Sequence, residues 1–188
     1  MTRRILLVLL LTIASTVVAT AQTAAVKDYY NQENKVGFKY PAAARWKVEK
    51  EESSYWSGSE EPGFTTLVVL QRNDAALPGD DIVEAAVSLK TATIDEATCT
   101  AMKIGNFAEP DTKVVAKKFG TRTFYYLWGS DGATGHSSWT QFYRTFNDGR
   151  CYELGLNTYG GNSGAKRARA DKKMDQQFIA ILRTLYFK

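Results

Sequence analysis

The chain has 188 residues, of which 44% are hydrophobic, 23% charged and 12% aromatic, an ordinary globular composition long enough for one domain with its own core. Its formal charge of +4 includes Arg3 and Arg4; without them 22 basic residues face 20 acidic ones. The remaining +2 is too mild to argue for nucleic acid or acidic lipid as a partner, and no repeat period or long low-complexity tract divides the chain.

Residues 1–21 have the grammar of a secretory signal peptide: basic Thr2-Arg3-Arg4, an apolar run from Ile5 to Ile13, and small residues ending in Ala19-Thr20-Ala21. Cleavage is expected after Ala21, giving a periplasmic or secreted protein. The apolar run falls short of the ~20 residues that a bilayer crossing needs, and no later segment could span a membrane. Gln22 to Asn34 is polar and weakly patterned, so it reads as a flexible lead-in, with Tyr29 and Tyr30 as docking side chains. A single domain is expected over residues 35–188.

Within that domain Val36 to Tyr40 alternates into Pro41 as a first strand, and Trp46 to Glu49 alternates as a second. Glu51 to Gly63 is a charged loop, Phe64 to Gln71 a buried strand, and Val87 to Lys90 another. Thr93-Ile94-Asp95-Glu96 matches a capping box, so a helix capped by Thr93 is expected to run to Ile104 and stop at Gly105. Lys113 to Lys118 and Thr121 to Trp128 read as strands, ahead of a Gly-rich loop from Gly129 to Gly135.

Ser137 to Thr158 reads as two long strands folded back at Asn147-Asp148-Gly149, because Asn, Asp and Gly accept the positive φ of a tight hairpin. A two-residue turn at Asp148-Gly149 would set Arg144 opposite Glu153, Phe146 opposite Cys151 and Phe142 over Gly155; a three-residue loop would shift that register by one. Tyr159 to Gly164 is a glycine loop. Met174, Phe178, Ile181, Leu182 and Leu185 then recur at helical spacing, which gives a closing amphipathic helix. A long series of strands with two main helices predicts an α+β fold with one antiparallel sheet of six to eight strands.

Phe38-Lys39-Tyr40-Pro41 followed by Trp46, the middle series of strands, and the closing run Phe178 to Phe187 together resemble the Mog1/PsbP-like family over Val36 to Lys188. The gap from Pro41 to Trp46 is longer than that family's usual Tyr-Pro-x-x-Trp form. The resemblance implies a small α/β/α sandwich, found in photosystem accessory subunits, a Ran-binding protein and bacterial envelope proteins. It implies no shared catalytic residues.

Two cysteines in an exported chain point to a Cys99–Cys151 disulfide that staples the first helix to the sheet, with two buried free thiols as the alternative. Two Cys and one His are short of the four ligands of a structural zinc site, and Glu60-Glu61 and Asp80-Asp81 with Glu84 lack calcium-loop spacing. Gly160 to Lys166 misses phosphate-loop spacing, so neither metal nor cofactor is expected. The basic run Lys166, Arg167, Arg169, Lys172 and Lys173 reads as a solvated loop and exposed helix face, with contact to anionic envelope polymer or lipid head groups as the alternative. His136 with Ser137 and Asp131 could be drafted as a hydrolase triad, but residues so close on one loop rarely reach triad geometry and no G-x-S-x-G elbow is present. The preferred reading is a non-catalytic binding or accessory module of the bacterial envelope, with another envelope protein or a small ligand as partner. Its contact surface is expected at His136, Trp139, Tyr143 and Tyr152, where aromatics adjoin the Gly-rich loop. The alternative is an envelope hydrolase using His136.

Overall fold

The computed structural model describes residues 25–49, 63–73, 82–102, 113–133, 136–161 and 164–188. The chain is α+β: among the described residues it has two α-helices, a short 3-10 turn at Ala42–Ala44, and ten strands in two antiparallel sheets. The larger sheet has the order β3-β4-β5-β9-β8-β7-β6, formed by β3 (Lys47–Glu49), β4 (Thr65–Asn73), β5 (Ile82–Ala92), β6 (Val115–Phe119), β7 (Arg122–Ala133), β8 (His136–Asn147) and β9 (Arg150–Gly161). The smaller has the order β1-β2-β10, with β1 at Val26–Asn31, β2 at Val36–Pro41 and β10 at Tyr186–Phe187. The helices are α1 (Glu96–Thr100) and α2 (Gly164–Leu182).

The hairpin of β8 and β9 has the two-residue turn, with Arg144 opposite Glu153, Phe146 opposite Cys151 and Phe142 opposite Gly155. Asp148 at φ 50° and Gly149 at φ 73° carry the two positive dihedrals that match the twist of the flanking strands. Both neighbours of β8 run further than the sequence suggests. Gly129 to Ala133, expected in a loop, continues β7, and Tyr159 to Gly161 continues β9, because each meets a full partner in β8.

The stretch expected to be a flexible lead-in holds β1, which pairs with β2 from Val26 opposite Pro41 to Asn31 opposite Val36. Tyr29 docks as anticipated: its hydroxyl donates to the Leu67 carbonyl at 2.9 Å and its ring lies 5.4 Å from Phe38. The C-terminus holds the same unit from the other side, with Tyr186 opposite Gly37 and the Lys188 amide donating to the Lys35 carbonyl at 2.9 Å. Helix α1 is capped by Asp95 rather than Thr93. Pairing of β5 with β9 ends at Ala92 opposite Cys151, and the helix begins only at Glu96, where the Asp95 carboxylate accepts from the Thr98 amide at 2.7 Å. Helix α1 ends at Thr100 with Ala101 as its C-cap, one turn short of the expected end at Ile104; Ile104 and Gly105 themselves lie outside the described residues, as do residues 1–21, Glu60-Glu61 and Asp80-Asp81.

Alternation along the strands gives the large sheet two unlike faces. One carries Leu70, Val87, Leu89, Leu154 and Leu156, which form a single core with Phe38 of β2 and with Phe178, Ile181 and Leu182 of α2. Leu185 joins that core beyond the end of the helix, so the helical spacing identifies the right partners and overruns the helix by one turn. On the opposite face α1 packs over β8 and β9, and Cys99 is joined to Cys151 with a Cα–Cα distance of 5.5 Å. Beside the bridge, Glu153 sits in register between Lys90 of β5 and Arg144 of β8. Arg144 and Glu153 are both fully buried, with Nε donating to Oε2 at 2.7 Å.

Candidate binding cleft

Helix α2 makes its main contacts with β2, β9 and β5, toward one side of the large sheet. Along the other side, between the helix and β6 to β8, lies a cleft of about 560 Å³. Asp171, Asp175 and Ile179 recur at four-residue spacing and so form one helical stripe along its wall. Lys117 and Phe119 of β6, Tyr126 of β7, and Trp139, Gln141 and Tyr143 of β8 form the floor. These floor residues share a face by register: Lys117 is opposite Phe124, Tyr126 opposite Tyr143, and Gln141 opposite Leu156.

Lys117 organises the floor electrostatically. Its ammonium lies 3.5 Å from the centroid of the Tyr126 ring and donates to the Tyr143 hydroxyl at 3.3 Å. Burial lowers its pKa, against the opposing pull of the Asp175 carboxylate. Burial, with a smaller contribution from Asp175, pushes the Tyr126 phenol up to about 12. The same burial raises Tyr143, helped by its neighbours Tyr126 and Asp175. Gln141 spans from sheet to helix, its Nε2 donating to Asp175 Oδ1 at 3.0 Å. Trp139 stacks on Trp128, with centroids 4.4 Å apart and planes 16° from parallel.

The four residues expected to share a surface are separated by the structure. Trp139 and Tyr143 both line the cleft, but Tyr143 is only 1% exposed and its ring packs on Phe178 at 5.6 Å. Tyr143 is therefore a core residue with its hydroxyl at the cleft floor. Tyr152 is also core, at 3% exposure, because the small sheet covers it: its ring lies 4.7 Å from Phe187 and its hydroxyl donates to the Asn34 carbonyl at 3.3 Å. It borders a separate, smaller cavity of about 190 Å³ near Lys35, Arg150 and Lys188. His136 begins β8, in register with Ala133 and Gly161. Ser137 is the next register position, opposite Gly132 and Gly160.

Of the basic run, Lys172 lines the cleft and lies within α2, so that segment is helix from Gly164 onward. Lys117, Tyr126, Gln141, Asp171 and Asp175 were not among the expected site residues. The usable signal was the acidic stripe Asp171–Asp175, which runs beside the apolar stripe Met174–Phe178 and marks a second, polar side of the same helix. Among the described residues no group of three or more His, Cys, Asp or Glu could hold a metal, and no helix is long and apolar enough to cross a membrane.

Strands of one antiparallel sheet set between helices, with β2 and the end of α2 sharing its core, define the PsbP/Mog1-like fold, and solved structures agree. Cyanobacterial PsbP (CyanoP) from Synechocystis sp. PCC 6803 superposes with a TM-score of 0.51 at 13% identity, over 90% of this chain and 96% of that one. LpqN, involved in cell envelope biogenesis of Mycobacterium tuberculosis, gives 0.51 at 14% identity, over 87% and 91%. A protein of Bacteroides thetaiotaomicron gives 0.50 at 11% identity, over 86% of this chain and 48% of that one. No family model matches the sequence, and no curated protein matches it.

Proposed function

We propose that this protein is an exported, non-catalytic accessory module of the bacterial envelope that holds a small ligand, or a group on another envelope protein, in the cleft between α2 and β6 to β8. The observation that carries this reading is the cleft itself: a concave site with an aromatic floor and a few convergent polar groups, the usual form of a small-molecule site. Its polar groups are held by one another, as in the Gln141–Asp175 bond and the Lys117–Tyr143 bond, which favours binding over proton transfer. Export is supported by the signal-like residues 1–21 and by a disulfide, since such bridges persist in oxidising compartments. LpqN, of the same fold, is described as involved in cell envelope biogenesis.

On this reading the mature chain begins at Gln22, and its one domain takes in β1 together with residues 35–188. The test pairs a fragment screen by amide NMR with hydrolysis assays on ester and glycoside substrates. Fragments are expected to shift amides of β6 to β8 and of α2, and His136→Ala is expected to bind them as wild type does. A hydrolysis that His136→Ala abolishes in a folded protein would overturn the non-catalytic reading. Intact mass of exported protein checks cleavage after Ala21.

A further inference from the structure

Resting on the binding-cleft reading, we infer that the ligand is a neutral saccharide. Lys117 and Lys172 share the cleft with Asp171 and Asp175, so its formal charges cancel and neither an anion nor a cation gains a net attraction there. A cation is further disfavoured because the Lys117 ammonium already covers the Tyr126 ring at 3.5 Å. Of the other cleft aromatics, Tyr143 is a core residue and Phe119 packs on Phe124 and Tyr143, which leaves Trp139 as the platform. Its indole stacks on Trp128, which does not line the cleft, so the platform is held in place before any ligand arrives.

Around that platform Gln141, Thr158, Asp171 and Asp175 bring amide, hydroxyl and carboxylate groups, which with the two lysines make a mixture of donors and acceptors without net charge. A pyranose has the complementary chemistry. Its C–H face is apolar enough to lie on an indole ring, and its hydroxyls donate to carboxylates while accepting from amide or ammonium groups. A volume of about 560 Å³ lies within the ordinary range for such sites and leaves room for a sugar ring beside the existing Gln141–Asp175 bond.

The test is tryptophan fluorescence and amide NMR on the oxidised mature chain, titrated with N-acetylglucosamine, cellobiose and maltose, with choline chloride and inorganic phosphate as charged probes. At least one sugar is expected to change the indole emission and to shift amides at Trp139, Gln141 and Asp175, with little dependence on salt. Trp139→Ala should weaken that binding about tenfold or more, and Trp139→Phe should restore part of it. Asp175→Asn is the second variant, and matched thermal melts show that each protein is folded. Binding of choline or phosphate in the cleft without any sugar overturns the saccharide inference and leaves the binding-cleft reading standing. A cleft silent to every sugar, charged probe and fragment overturns both, and release of sugar products overturns the non-catalytic reading alone.

Discussion

Replacing Glu153 with Gln removes one charge from a place where no water can compensate. Arg144 and Glu153 are each fully buried and joined at 2.7 Å, and the Arg144 guanidinium lies 4.5 Å from the Phe64 ring. Lys90, 9% exposed, is the cross-strand neighbour of Glu153 on its other side. The neutral amide of Glu153→Gln would thus sit between two cations, and breaking a buried pair by removing one partner costs about 3–5 kcal/mol. In a domain of this size that is a fall in Tm of roughly 6–20 °C. Arg144→Met should cost a similar amount. The double variant Arg144→Met with Glu153→Met should then be more stable than the sum of the single losses implies, by about 1–3 kcal/mol of coupling. Urea and thermal unfolding of the oxidised proteins at neutral pH measure all four corners of the cycle, with Glu153→Met as its second single variant. Single variants within about 1 kcal/mol of wild type, with an additive double, would refute the claim that this pair is a desolvated unit.

Replacing both Cys99 and Cys151 with Ser should lower stability by about 2–5 kcal/mol, read as a shifted urea midpoint, and thiol labelling of the denatured, unreduced wild type should find no reactive thiol. Gly37→Ala places a Cβ 2.5 Å from the Tyr29 carbonyl oxygen and 2.6 Å from the Tyr186 ring. The backbone oxygen belongs to a paired strand and cannot yield, so a loss of about 1–3 kcal/mol is expected in the same unfolding assay. Tyr126 should stay protonated to about pH 12, against an ordinary value of 10.0. Its folded pKa is raised, so its contribution is complete below pH 10 and is lost as pH climbs toward 12, where the unfolded chain sheds a proton that the folded one keeps. Absorbance titration of wild type against Tyr126→Phe checks the assignment, and a phenol that titrates near 10 in the folded protein contradicts it.

What was legible in the sequence is what short-range chemistry decides. Asp148 and Gly149 specify a two-residue turn by their tolerance of positive φ, and that one choice sets the whole register of β8 against β9. Met174, Phe178, Ile181 and Leu182 specify α2 by spacing. β1 was illegible because its outer side chains are exposed, Val26 at 62%, and what orders it is distant. It pairs with β2 and is tied to the C-terminal strand by the Tyr186 hydroxyl donating to Asp28 Oδ1 at 3.0 Å. Tyr143 and Tyr152 pass for surface residues in the sequence because alternation shows that odd and even positions differ without showing which face a helix or a second sheet will cover. The cleft needs Lys117, Tyr126, Gln141 and Asp175 together, from three strands and a helix, and each alone has the pattern of an ordinary solvated or core residue.

The same helix gives the domain its stability and the cleft its wall, but with different side chains. Met174, Phe178, Ile181 and Leu182 are all at most 2% exposed and fix α2 against β2, β5 and β9, whereas Asp171 and Asp175 lie on the neighbouring stripe toward β6 to β8. Because the anchor is apolar and the wall is polar, the helix cannot roll to close the cleft without burying carboxylates against the Phe119 and Tyr126 rings, which is costly for a charged group. The cleft is therefore a fixed consequence of how α2 is anchored. Tyr143 belongs to both systems, its ring against Phe178 and its hydroxyl accepting from Lys117. Polar changes at Trp139, Gln141 or Asp175 can accordingly retune what the cleft holds while the anchor, and with it the fold, stays as it is.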